Sequence, residues 1–148
     1  MHKRILVPTD GSENAIKAGE YAISLADLSS ADIVVLNVID TSYLDAIPQP
    51  DVRESVDEEL RADVKKAVER FEAKIEENKC NGTYQNVNFK ILIKEGKPAD
   101  IIIKTIDKER IDQVVIGKSS KKGLERFLLG KTTDKVVKEA KVPVNVIS

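Results

Sequence analysis

Ile5-Leu6-Val7-Pro8-Thr9-Asp10-Gly11-Ser12 sets a strand, a turn and a helix start in immediate succession. The apolar run Ile5-Leu6-Val7, closed by Pro8, has no polar alternation and predicts a strand buried on both faces. Asp10-Gly11-Ser12 is a turn signal, and Ser12 is a good helix N-cap. Ala15, Ala18, Ala22, Leu25 and Ala26 then recur at helical spacing. They form a narrow face of mostly small residues suited to close packing on a sheet.

The same alternation of elements continues along the chain. Ile33 to Leu36, with Val38, predicts a second buried strand. Asp40 to Pro50 reads as a loop, with two prolines near its end. Val52, Val56, Leu60, Val64, Ala67, Phe71 and Ile75 mark one face of a long helix with a charged opposite face. Asn81-Gly82 ends it. Phe89, Ile91 and Ile93 alternate with Lys90, Leu92 and Lys94, which predicts a half-exposed third strand. Gly96-Lys97-Pro98-Ala99 opens another helix, with Pro98 where its missing N–H costs nothing, and Ala99, Ile102, Ile103 and Ile106 form its apolar face. Val114-Val115-Ile116 predicts a fourth strand closed by Gly117. Leu124 to Ala140 reads as mostly helical with an interruption near Gly130. Val142 to Ile147 predicts a fifth strand. Strands separated by crossover helices imply a parallel sheet covered on both faces. The expected fold is a doubly wound α/β domain spanning residues 1–148.

Composition agrees with that class. At 148 residues the chain has the length of one domain, since domains most often run to about 100–150 residues. Apolar residues make up 41% and charged residues 33%, a globular balance. Lys plus Arg is 24 against 25 for Asp plus Glu. That leaves no global field for a nucleic acid or an anionic membrane. Cys80 is the only cysteine, so no disulfide can form within the chain, which suits a reducing compartment. The apolar run after Met1 is too short for a secretory signal core, and no segment is long enough to span a bilayer. A cytoplasmic location is expected.

In an open parallel sheet, ligands bind at the carboxyl ends of the strands, where the strand order reverses. Pro8 to Ser12 and the segment Gly117-Lys118-Ser119-Ser120-Lys121-Lys122-Gly123, with Gly130-Lys131-Thr132-Thr133, fall at such ends. Glycines let a backbone approach a ligand, and hydroxyls and lysines add donors and charge. Asp10 reads as a turn or capping carboxylate, which Asp favours at such places, or as a ligand carboxylate. Lys118, Lys121, Lys122, Arg126 and Lys131 form a basic cluster, which reads either as a polyphosphate attractor or as a solvated surface. Gly130-Lys131-Thr132 looks like the end of a P-loop, but Glu125 stands where its first glycine belongs and the preceding segment reads as helix. His2 is the only histidine, so neither a histidine metal site nor a Ser-His-Asp triad can be built. No metal site and no catalytic set are expected.

The opening Lys3 to Ser12, the stretch Leu36-Asn37-Val38-Ile39-Asp40 and the distal half from Asp112 to Ile147 resemble the universal stress protein family. The distal resemblance rests on a strand ending in Gly117, a Gly/Ser loop, Leu128-Leu129-Gly130, a helix, and Val142-Pro143-Val144. It implies strand order 3-2-1-4-5. It also implies that adenine and ribose of an ATP, with or without magnesium, lie over Pro8, Thr9, Asp10 and Val38. The phosphates would lie at Gly117, Ser119 and Ser120 and at Gly130, Lys131, Thr132 and Thr133. Nucleotide-binding members carry G-x2-G-x9-G-[S/T]; here Ser120 replaces the second glycine and Lys131 the final hydroxyl residue. Those two departures favour an alternative, a dimeric interaction module without nucleotide. With no obvious base or arginine finger, any ATP hydrolysis is expected to be slow. The resemblance also implies a homodimer through Val142 to Ile147, whose pairing would start beyond Pro143 or use its carbonyl.

Overall fold

Apolar runs become the middle of the sheet and amphipathic segments cover it. The computed structural model describes residues 3–10, 12–80, 82, 87–118 and 131–148. In chain order these form β1 (Arg4–Pro8), α1 (Glu13–Ser29), β2 (Asp32–Asp40), α2 (Thr41–Asp45), α3 (Pro50–Cys80), β3 (Phe89–Gly96), α4 (Pro98–Lys108), β4 (Gln113–Gly117), α5 (Lys131–Glu139) and β5 (Val144–Ile147). The sheet has the order β3-β2-β1-β4-β5, and every pairing is parallel. The expected doubly wound architecture with order 3-2-1-4-5 is therefore observed. The expected helix ahead of Gly130 and the end of α3 at Asn81 lie outside the described residues.

Alternation along each buried strand divides the core in two. Ile5, Val7, Ile33, Val35 and Val115 point to one face, where Ala18, Ala22, Ile23 and Ala26 of α1 and Phe71 and Ile75 of α3 cover them. Leu6, Val34, Leu36, Val114 and Ile116 point to the other, under Ala99, Ile102 and Ile106 of α4 and Val136 of α5. Ser12 caps α1 as its position predicts, its Oγ accepting from the Ala15 N–H at 3.2 Å. A side chain at Gly19 would run into the Phe71 ring, so that glycine lets α3 lie close on α1.

One expectation is corrected. The segment after Asp40 is not all loop: Thr41–Asp45 makes one helical turn, α2, capped by the Asp40 carboxylate and anchored by buried Leu44. The long helix does not bury its whole apolar face. Ala67, Phe71 and Ile75 are buried, whereas Val52 is exposed. Its 31 residues reach roughly 46 Å, while the nine residues of β2 reach roughly 30 Å. The amino-terminal half of α3 therefore overhangs the carboxyl edge of the sheet.

Asn37 is a polar exception within β2. It shares a face with Ile33, Val35 and Ile39, is 1% exposed, and among the described residues neither its Oδ1 nor its Nδ2 has a hydrogen-bond partner. A buried amide left unpaired costs about 1–3 kcal/mol. Asn37→Val, which is closer in size than leucine and removes the polar atoms, is expected to raise unfolding stability by about 1 kcal/mol. A urea midpoint that falls in this variant would show that the amide is satisfied in solution.

Candidate functional site

The strand order reverses between β1 and β4, because β2 leaves β1 on one side and β4 joins it on the other. A crevice opens there at the carboxyl ends of the strands. The structure has a cavity of about 440 Å³ at that place, lined by residues of every element from β1 to α5 except β3 and β5. Its size lies in the range of small-molecule sites, about 300–1,000 Å³.

The walls come from the turns that follow the strands. The Thr9 N–H donates to the Leu36 carbonyl at 2.9 Å, which extends the β1–β2 ladder by one step and brings Asp10 to the rim. Asp10 Oδ1 accepts the Ser12 N–H at 2.9 Å. The turn role expected of this carboxylate is thus observed, and the residue lines the cavity as well. On the far side the Lys118 N–H donates to the Ile147 carbonyl at 2.7 Å, and Asn14 Nδ2 donates to the Lys118 carbonyl at 3.1 Å. Thr133, 3% exposed, donates its Oγ1 to the Gly117 carbonyl at 3.2 Å. These bonds tie the end of β4 to the starts of α1 and α5. Lys135 donates to Asp100 at 2.7 Å across α5 and α4, and this bond holds the Asp100 carboxyl below the usual carboxylate range.

Of the residues singled out in the sequence, the cavity brings together Pro8, Thr9, Asp10, Val38, Gly117, Thr132 and Thr133. Lys131 is exposed at the start of α5 and is not among the lining residues. Ser119, Ser120 and Gly130 lie outside the described residues. Sequence reasoning missed Asp40, Tyr43, Leu60, Pro98 and Ile102, all of which line the cavity. Asp40 carried a legible signal, since Asp followed two residues later by Ser marks a local cap. Leu60 carried only the helical period that any core residue carries.

The lining divides by chemistry. Ser12, Gly117, Lys118, Thr132 and Thr133 supply hydroxyls, backbone groups and a cation on the β4 side. Leu36, Val38, Tyr43 and Leu60 supply a mainly apolar wall on the β2 side, interrupted by the Asp40 carboxylate, which is engaged in capping α2. Such a site can hold an amphiphile with an anionic end and a flat apolar end. Among the described residues, no group of three or more His, Cys, Asp and Glu is placed to hold a metal ion. Among those same residues, no helix is long and apolar enough to cross a membrane.

A doubly wound sheet with a switch-point cavity defines a class of α/β ligand-binding proteins. Comparison narrows it: the chain matches the Universal stress protein family over residues 1–148 and belongs to that family. A universal stress protein of Methanocaldococcus jannaschii is 31% identical over 147 residues, 99% of this chain and 82% of the relative. Among solved structures, the universal stress protein UspA of Lactobacillus plantarum is 29% identical, with a TM-score of 0.79 over 99% of this chain and 98% of its own. An Arabidopsis thaliana member of the family, solved with AMP bound, has a TM-score of 0.62 at 21% identity over 98% and 90% of the two chains.

Proposed function

We propose that this chain binds an adenine nucleotide, ATP foremost, in the switch-point cavity and acts as a cytoplasmic regulator of the stress response. The observation that carries the reading is the two-sided lining: hydroxyls, backbone groups and Lys118 at the β4 end, an apolar wall at the β2 end. A nucleotide has the same polarity, with phosphates at one end and a flat base at the other. The Arabidopsis relative, which shares the fold, holds AMP. Asp10 would face the ribose hydroxyls or a magnesium ion carried by the phosphates, since Mg²⁺ is commonly held by one or two carboxylates plus phosphate oxygens.

Titration calorimetry with ATP, with and without magnesium, tests this directly. Saturable one-to-one binding is expected. Asp10→Ala should weaken it about tenfold, the effect of losing a hydrogen bond to a charged group. Equal affinity in the variant would remove Asp10 from the site. A wild type that binds no nucleotide would favour the second reading, a dimeric interaction module of the same fold. That reading draws support from Lys131, which stands where nucleotide-binding members carry Ser or Thr and does not line the cavity. Both readings include a homodimer through β5.

A further inference from the structure

Resting on the nucleotide reading, we infer that Tyr43 stacks on the base and is the residue through which this cavity selects a nucleotide over a bare polyphosphate. Tyr43 follows β2 immediately, on the single turn α2. Its backbone is fixed: Asp40 Oδ1 accepts the N–H groups of Ser42 and Tyr43 and the Ser42 hydroxyl, and the Tyr43 carbonyl accepts the Ala46 N–H. Tyr43 is 61% exposed while lining the cavity, and among the described residues it is the one aromatic in that lining.

An aromatic ring held on a rigid backbone yet left open to water presents a face for stacking. It lies on the apolar side of the cavity with Val38 and Leu60, opposite the hydroxyls and Lys118. That polarity sends the phosphates toward β4 and the base toward α2. Base–aromatic stacking needs only a π-face, and its loss on truncation corresponds to roughly a five- to hundredfold drop in affinity. The overhanging half of α3 supplies Leu60 as a second wall beside the same region.

The test compares ATP with inorganic tripolyphosphate by calorimetry on wild type, Tyr43→Ala and Tyr43→Phe. Tyr43→Ala is expected to lose about tenfold or more in ATP affinity, with tripolyphosphate affinity unchanged and Tyr43→Phe close to wild type. The chain has no tryptophan and three tyrosines, so quenching of tyrosine emission by ATP gives an independent reading. The quench should be lost in Tyr43→Phe although ATP still binds. If Tyr43→Ala binds ATP as wild type does, or loses tripolyphosphate equally, stacking is refuted while the nucleotide reading stands. If wild type binds no ATP, both fall.

Discussion

Gly117→Ala is expected to lower unfolding stability by about 3 kcal/mol, at the upper end for overpacking, and, on the proposed nucleotide reading, to abolish measurable nucleotide affinity. Gly117 does not have a positive φ, as Gly82 and Gly96 do, so its glycine is required by space and not by backbone conformation. A Cβ there would stand 2.7 Å from the carbonyl carbon and oxygen of Asn14 and 2.8 Å from the amide nitrogen of Ala15. These are backbone atoms in the first turn of α1 and cannot swing aside as a side-chain tip would. Relief requires α1 to move away from β4. Ser12 and Ala15 line the cavity from that same turn, and Asn14 bonds the Lys118 carbonyl. Gly117 also supplies the carbonyl that Thr133 holds. Stability and site geometry therefore fail together. Gly82→Ala is the matching control: its φ of 82° carries the conformational cost, but among the described residues nothing lies within 4 Å of the added carbon. It should cost about 1 kcal/mol and leave affinity intact. Urea denaturation gives the midpoints at constant slope. An unchanged midpoint for Gly117→Ala would show that α1 is not seated on β4 in solution.

Gly117 also shows where sequence reading stops. It stood out as a glycine after a buried strand, and the expected reason was approach of its backbone to a ligand. The structure adds a second reason, the backbone of α1, brought there by a chain separation of about a hundred residues that no local pattern records. Ser12 was legible because a cap is written within three residues of itself. The parallel doubly wound sheet was legible from the run of buried strands and crossovers, and its strand order from the family resemblance alone. The short helix α2 was not, because five residues are too few for a helical period to declare itself. The same distance rule explains the site. Asp10 and Thr133, which line the cavity, stood out in the sequence because each belongs to a turn or helix start after a strand. Leu60 and Ile102 were not, because they enter the cavity from helices whose apolar periods looked like ordinary core. Leu60 is there because α3 outruns the sheet, a mismatch of lengths that appears only once helix and strand lie side by side.

The free edge at β5 is expected to make the protein a dimer that a single backbone change converts to monomer. β5 ends the sheet. The carbonyls of Pro143 and Ile147 accept from the N–H groups of Val114 and Lys118 at 2.9 and 2.7 Å. The Pro143 carbonyl is therefore taken by β4 and cannot start an outer pairing as the sequence suggested. In a parallel ladder alternate residues serve opposite sides, so Val144 and Val146 turn their N–H and C=O groups outward. Tyr21, Leu25 and Leu28 stand at i, i+4 and i+7 on one side of α1. Tyr21 and Leu28 are exposed, Leu28 at 87%, and Leu25 packs on the same core cluster as Ile147. An apolar edge strand beside an apolar helix stripe is a surface that folded proteins cover. A second copy covers it by a two-fold axis, with β5 against β5 antiparallel and the α1 stripes alongside. Val146→Pro removes one outward donor and leaves both bonds to β4 in place. Lysine at Val144 or Val146 would be less diagnostic, because both side chains pack against the second core. Tyr21→Lys with Leu28→Lys alters only the exposed stripe and guards against misfolding of the proline variant. Sedimentation velocity should give a dimer for wild type and a monomer for Val146→Pro, with a weakened dimer for the lysine pair. A wild type that stays monomeric at several hundred micromolar, or a proline variant that stays dimeric with its circular dichroism unchanged, would place the interface elsewhere.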